Sequence, residues 1–395
     1  MRTIRQVMAA LSPAALLIAS CSAAQSGDSA AAPAGGQAFA IEDKGTFDRP
    51  WAVTFVPGTQ VVFITEKGGT MKFVDLPSGR LGTVTGLPAV LDQGQGGLGD
   101  VAFPPSESLA TLGSRTIYLT WADPGDGSAS FAALGRGTLV CEEADACRIE
   151  GFKTIWRQQP AIRSPGHYSH KIAFSPDGQY LFLSSGERMQ GDPAQDLGTN
   201  LGKVLRLNLD GTPAPGNPFV GRNESVAESP VTAQIWSYGH RNLLGLQFDA
   251  AGQLWDLEHG PAGGDELNRV ERGSNYGWPV RSNGNDYDGD DIPDHTPDDG
   301  FAKPAISWNP VIAPGDFVFY SGKLWPQWRG QALIAAMQRS GPGVVRVSLA
   351  GSTGTEQARY PFEKRLRDIA EAPDGSLYVI EDGAGGRLLR LTPAR

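Results

Sequence analysis

The feature that most constrains this chain is a turn-and-strand unit that recurs along its whole length. Val56-Pro57-Gly58 leads into Val61-Val62-Phe63-Ile64, and Pro176-Asp177-Gly178 leads into Tyr180 to Leu183. Later, Ala251-Gly252 leads into Leu254-Trp255-Asp256-Leu257, and Pro373-Asp374-Gly375 into Leu377-Tyr378-Val379-Ile380. Each unit joins turn chemistry to a short run of strand length, read here as alternating. No stretch of helix length carries a 3.6-residue apolar period, so radially repeated sheets fit better than a βαβ series. The 51 Gly and 29 Pro are spread along the chain rather than gathered in tracts, which supplies the tight turns such sheets need. The expected class is all-β, with a β-propeller as the leading architecture.

The N-terminus carries a different signal. Met1-Arg2-Thr3-Ile4-Arg5 is basic, and Val7 to Ala19 is mostly apolar but too short to span a bilayer, as in an export signal. Ile18-Ala19-Ser20-Cys21 resembles the bacterial lipobox, with ordinary cleavage after Ser22-Ala23-Ala24 as the alternative. Residues 1–21 are therefore expected to be a signal peptide with lipobox, 22–38 a flexible tether, and 39–395 one propeller domain. That predicts an exported protein on the periplasmic side of a bacterial membrane, held only by an N-terminal lipid anchor. At roughly 40 to 60 residues per blade, the remaining length suits about six to eight blades. A net charge of -9 excludes nucleic acid as a partner, since phosphate capture needs clustered cations. Cys141 and Cys147 flank an acidic pentapeptide, and an oxidising compartment predicts a disulfide across one surface hairpin; a metal pair lacks the usual spacing.

The richest stretches are Ile235-Trp236-Ser237-Tyr238-Gly239-His240-Arg241-Asn242, Glu258-His259-Gly260-Pro261-Ala262-Gly263-Gly264-Asp265-Glu266-Leu267-Asn268, and Gly273-Ser274-Asn275-Tyr276-Gly277-Trp278-Pro279. With Arg49-Pro50-Trp51, Gly94-Gln95-Gly96-Gly97-Leu98, the His167 block, Gln195-Asp196-Leu197 and Arg365-Leu366-Arg367-Asp368, they resemble the soluble quinoprotein glucose dehydrogenases and the related aldose sugar dehydrogenases. The resemblance covers nearly all of the chain after the tether. It implies a six-bladed propeller that uses pyrroloquinoline quinone (PQQ) and Ca²⁺ to oxidise an aldose at C1 to the lactone, passing electrons to an external acceptor.

The same residues can be read on their own chemistry. Arg365 and Arg367, two apart on a strand, share a face and suit a multiply anionic ligand, although a pair of surface salt bridges is the plainer alternative. The resemblance assigns them to the carboxylates of PQQ. Arg241 and Asn242 form a polar pair beside apolar Ile235-Trp236, and the resemblance sets them against the reacting quinone carbonyl. Gly260-Pro261 offers adjacent carbonyl oxygens suited to Ca²⁺, with Glu266 and Tyr276 where the resemblance holds a second, structural calcium. His167 is the candidate base, an imidazole being able to accept a hydroxyl proton near neutral pH; His170 is its confusable neighbour, and a core histidine the bland reading. Glu187 is expected to orient His167, and it stands where the glucose dehydrogenases have Asp. Gln95 is expected on the pocket rim, and Gln338 lies near a Lys of those enzymes, with Arg339 as a substitute cation.

Other motifs carry less. Gly263-Gly264-Asp265-Glu266 spells a nucleotide-cyclase motif but lacks the α/β surroundings, and the five histidines show no zinc spacing. The acidic run Asn285 to Asp294 misses the EF-hand positions and is read as a solvated loop on the substrate side. Two competing functions stand beside the dehydrogenase: a lactonase-type propeller hydrolase holding axial calcium through side-chain carboxylates, and a binding propeller without catalysis.

Overall fold

A computed structural model describes residues 38–220 and 230–394. The leader, Cys21 of the lipobox and the tether up to residue 37 lie outside the described residues. Among the described residues the strands assemble into six four-stranded antiparallel blades. Their innermost strands are Pro50–Phe55, Leu98–Ala102, Ser169–Phe174, Asn242–Phe248, Pro314–Phe319 and Leu366–Glu371, numbered here as blades 1 to 6. Each innermost strand packs beside the next and the sixth returns to the first, which closes a six-bladed propeller.

The turns that the sequence displayed join first to second strands. They span residues 56–60, 175–179, 249–253 and 372–376, and in each the fourth N–H bonds the first carbonyl: Thr59 to Val56 at 3.1 Å, Gly178 to Ser175 at 2.8 Å, Gly252 to Asp249 at 3.0 Å and Gly375 to Ala372 at 2.8 Å. Gly178 adopts φ 69° and Gly375 φ 87°, a backbone region open to glycine at little cost.

The strands that follow these turns do not alternate as expected. Val61–Glu66 is buried at every position, as is Leu377–Glu381, because both faces of a second strand are covered by neighbouring blades. Alternation appears on outermost strands such as Thr353–Pro361, where one face meets water.

Two connections hold the ring together. Phe39–Asp48, the first strand in the chain, pairs antiparallel with Ala384–Pro393 and becomes the outer edge of blade 6, whose other strands come from the C-terminal end. Its Phe39 packs edge-on against Trp325 and Trp328 of blade 5, with ring centroids 5.7 and 5.9 Å away. Blades 1 and 2 join edge to edge through parallel pairing of Thr83–Thr85 with Ala146–Arg148. The Cys141–Cys147 disulfide forms beside that seam, across the hairpin of blade 2, the pairing expected for an oxidising compartment.

Every innermost strand carries a register irregularity at the matching place: between Pro50 and Ala52, Leu98 and Val101, Ser169 and Ile172, Leu243 and Gly245, Pro314 and Asp316, and Leu366 and Asp368. A bulge inserts an unpaired residue and re-aims its side chain. Here six bulges converge on the axis. Beyond them, Lys171 sits among Asp100, Asp316 and Asp368, with its Nζ 3.3, 2.7 and 3.4 Å from their carboxylates. This buried ion cluster separates a cavity at one end of the axis from a second at the other.

Candidate active site

The bulges build the first cavity. Trp51, Leu244 and Arg367 are the inserted residues of blades 1, 4 and 6, and all three line a hollow of about 360 Å³. Five basic side chains face it, Arg49, Lys67, Arg241, Arg365 and Arg367, against one lining carboxylate, Asp382. Arg367 Nε and Nη2 donate to Asp382 Oδ1 at 2.9 and 2.6 Å, and Arg365 Nη2 lies 3.3 Å from Oδ2. The guanidinium of Arg367 also stacks 4.4 Å from the Trp51 ring. These two arginines are thus a shared ion group on the cavity wall, not separate surface bridges. Arg241 Nε and Arg365 Nε are buried and lack a partner.

The sequence left two histidines in competition, and the fold separates them. His167 lines the cavity, whereas His170 points into the core, its Nδ1 3.2 Å from Thr120 Oγ1 and its pKa pushed down to about 3 by burial. His167 Nδ1 hydrogen-bonds Glu187 Oε1, which leaves Nε2 as the ring nitrogen available to a substrate. Glu187 Oε2 is itself fixed by the backbone N–H groups of Gln190 and Gly191, the latter at 2.7 Å. Burial lowers the His167 pKa, helped by the charge of Arg241, and the Glu187 hydrogen bond only partly restores it. Burial alone would raise Glu187, but its hydrogen bond to His167 and the surrounding donors hold it below the ordinary range. A neutral imidazole beside an ionised carboxylate is the arrangement a general base needs. His167 has φ 47°, and Ser169 and His170 follow at 58° and 61°, a run of left-handed non-glycine residues of the kind that clusters at functional sites.

Gln95, Asn242 and Arg241 fall around this pair; Gln338 does not, and Pro261 lines neither this cavity nor the hollow that Gly260, Glu266 and Tyr276 line. Gln95 Oε1 accepts the His167 N–H at 2.8 Å, and Asn242 Oδ1 accepts from Ser169 Oγ at 3.2 Å, so the first braces the base itself and the second the start of the strand that follows it. Arg241 Nη1 donates to the carbonyls of His259 and Gly260 at 3.1 and 2.7 Å, and its Nη2 approaches Tyr287 Oη at 3.4 Å. Tyr287, from the acidic loop read as solvated, therefore reaches the cavity wall. Gln338 is not among the lining residues. Met337 takes that place, its Sδ 3.7 Å from Arg365 Nη2, while the Gln338 side chain lies near Gly341 instead.

Beneath Gly260 lies a second small hollow of about 20 Å³, lined by Glu258, Gly260, Gly264, Glu266 and Tyr276 among others. It has room for roughly one ion or water. Glu258 faces Glu266 across paired strands, and Asn268 Nδ2 is divided among Asp256 Oδ1, Glu258 Oε1 and Glu266 Oε2 at 3.3, 3.0 and 3.4 Å. Burial and the charge of Glu258 push Asp256 and Glu266 well above the usual carboxylate range. Asp256 Oδ2 and Asn268 Oδ1 are buried without a hydrogen-bond partner among the described residues, the former 3.6 Å from His240 Nδ1. Asp265, passed over as part of a discounted motif, accepts from the N–H groups of Gly260, Ile312 and Ala313 at 3.0, 2.8 and 2.7 Å, tying the Gly260 turn to blade 5.

With this geometry in place, the likeness to known proteins has a structural footing. The family model described as glucose/sorbosone dehydrogenase matches residues 47–390. The chain belongs to that family. It is 35% identical to aldose sugar dehydrogenase YliI of Escherichia coli K12 over 368 residues, covering 92% of this chain and 94% of that one. The crystal structure of the soluble Escherichia coli aldose sugar dehydrogenase in its apo form superposes with a TM-score of 0.80 at 34% identity, over 90% of this chain and 100% of that one. The PQQ-bound aldose sugar dehydrogenase of Streptomyces coelicolor gives 0.69 at 25% identity, over 92% and 99%.

For a member of the glucose/sorbosone dehydrogenase family, the residues present can be tested against the groups it implies. Asp92 pairs with Arg49 and Lys67, and Asp382 with Arg365 and Arg367; five cations against these two carboxylates, with the unpartnered Arg365 Nε, still suit a ligand with several carboxylates. The oxygen-rich hollow beneath Gly260 suits a hard cation. Tyr276 contributes there by its carbonyl at most, since its hydroxyl donates to Arg269 O at 2.5 Å and accepts from Glu271 N at 2.9 Å. No role is visible in the sequence for Asp382, which follows Glu381 at a strand end, or for Asp256, two residues before Glu258 in a core strand, because neither belongs to a motif that flags it.

Proposed function

We propose that this protein oxidises aldoses at C1 to the lactone, using PQQ and Ca²⁺ and delivering electrons to an external acceptor. The observation that carries the reading is the His167–Glu187 pair at the wall of a cavity with five basic side chains. When bound, PQQ supplies the two-electron oxidant and Ca²⁺ the polarising charge beside it. The chain's own part is to hold and to accept. Arg365, Arg367, Arg49 and Lys67 supply charge for the carboxylates of the cofactor, with Trp51 and Leu244 as apolar walls. His167 Nε2 takes the proton of the sugar hydroxyl, and Glu187 keeps the imidazole in the tautomer with Nδ1 protonated. Gly260 and Pro261 are the carbonyls proposed for the catalytic calcium, and Glu266 with the Tyr276 carbonyl for a structural one. Arg241 is assigned to the reacting end of the cofactor, a reading supported by its 2.7 Å bond to the carbonyl of Gly260, the residue proposed for the calcium.

The lactonase reading meets a specific obstacle. Carboxylates do converge on the axis, but they close on the Lys171 ammonium rather than on a space for calcium. For the cell, the reading supported by Met1 to Cys21 is an exported lipoprotein facing the periplasm.

The test is dye-linked oxidation of a panel of aldoses by protein given PQQ and Ca²⁺, with EDTA as control. Reduction that needs both additions is the expected result. Turnover without PQQ, or no PQQ binding at all, overturns the proposal.

A further inference from the structure

The base sits on a long connection, residues 158–168, between the strand Ala146–Arg157 and the innermost strand of blade 3. Such a segment needs something to fix it, because a displacement of about 1 Å in a catalytic group costs on the order of a hundredfold in rate. Glu187 and Gln95 hold His167 itself. The rest of the connection is held by the neighbour of Glu187, a residue the family resemblance did not single out. We infer that Arg188 is the positioning residue of the base: its guanidinium pins the His167 connection from beneath while Glu187 fixes the imidazole from the side.

Arg188 is fully buried, at 0% exposure. Nε donates to Gly166 O at 2.9 Å, Nη1 to Ser130 O and Gln158 Oε1 at 3.2 Å each, and Nη2 to Ser130 Oγ at 3.0 Å and to Ser164 O. All five N–H donors are therefore used, and none goes to a carboxylate. Its plane lies 3.6 Å from the ring of Tyr168, the residue after the base. Its own N–H bonds the carbonyl of His167 at 3.3 Å. Burying a guanidinium with no ion-pair partner is costly, and a fold that needed only to close this connection could use apolar packing. What the guanidinium adds is three directed bonds onto the segment that carries the base, at Gln158, Ser164 and Gly166, and two more that tie that segment to Ser130 of blade 2. Its charge has a second effect, since it acts with Arg241 against protonation of His167.

This inference rests on the dehydrogenase reading, and the experiment separates the two. Arg188→Met removes donors and charge; Arg188→Lys keeps the charge but offers three donors. In holoenzyme assays with a saturating aldose, Arg188→Met is expected to lose about ten- to a hundredfold in kcat, with KM and PQQ affinity within about threefold. The acid limb of its pH profile should move to higher pH, because a positive neighbour of His167 is gone. Arg188→Lys should lose kcat while its acid limb stays in place. Wild-type kcat in either variant overturns the inference. So does a loss of PQQ affinity that matches the loss of rate, which marks a general structural role. If Arg188→Met does not fold, Arg188→Lys decides by the same readouts. NMR titration of the His167 ring in apo-protein is independent of turnover: a raised pKa in Arg188→Met supports the inference even if the wild type oxidises no sugar, and an unchanged one overturns it.

Discussion

At the scale of single residues, the site depends on which nitrogen of which histidine meets the substrate. His167→Gln should reduce kcat by about 10²- to 10⁴-fold while PQQ still binds, as measured by steady-state kinetics and by absorbance titration. The pH dependence follows from burial. His167 must be neutral to accept a proton, and its pKa lies below the ordinary value of about 6.5, so activity should persist below pH 6.5 and fall only at lower pH. The sign for stability is the opposite: below about 6.5 the unfolded chain takes up this proton before the folded one, so the group costs stability as pH falls. Glu187→Gln removes the one contact that raises the His167 pKa. Its acid limb should move further down while kcat drops because the ring has lost its anchor; an acid limb that moves up instead would contradict the assigned tautomer.

At the scale of elements, the innermost strands matter more than the turns that announced them. The turns are legible because their geometry is local: Gly178 and Gly375 are needed wherever that chain reversal occurs. The bulges are not legible, because an inserted residue is defined only against its partner strand. Trp51 and Arg367 look like ordinary strand residues until Thr65 and Ile380 show that each is unpaired. The blade 2 hairpin gives a separate expectation. The bridge from Cys141 to Cys147 closes a short loop, so Cys141→Ser with Cys147→Ser should cost roughly 2 kcal/mol. Neither cysteine lines the cavity, so kcat should be unchanged; thermal unfolding and dye assays on the same sample check both halves.

At the scale of the whole molecule, closure and the axis decide stability. Lys171 is held well above its ordinary pKa: burial works against its charge, but Asp100, Asp316 and Asp368 outweigh it. Lys171→Met would leave three carboxylates without their counter-charge, and a loss of about 3–5 kcal/mol is expected in urea unfolding. Much of the protein was written in local pattern. Turn chemistry, strand length and the absence of helical period are properties of neighbouring residues, and they led to an all-β propeller; the His167, Arg241 and Arg365–Arg367 blocks led to the site. The rest depended on residues distant in sequence. Strand pairing within blade 6 brings Asp382 to Arg365 and Arg367, and the closed ring sets Phe39 on blade 5, puts His167 on the cavity and His170 in the core, and places Met337 rather than Gln338 at the wall. The physical reason is that packing around the axis, not local propensity, determines which side chains share a space, and six strands drawn from the whole chain define that axis.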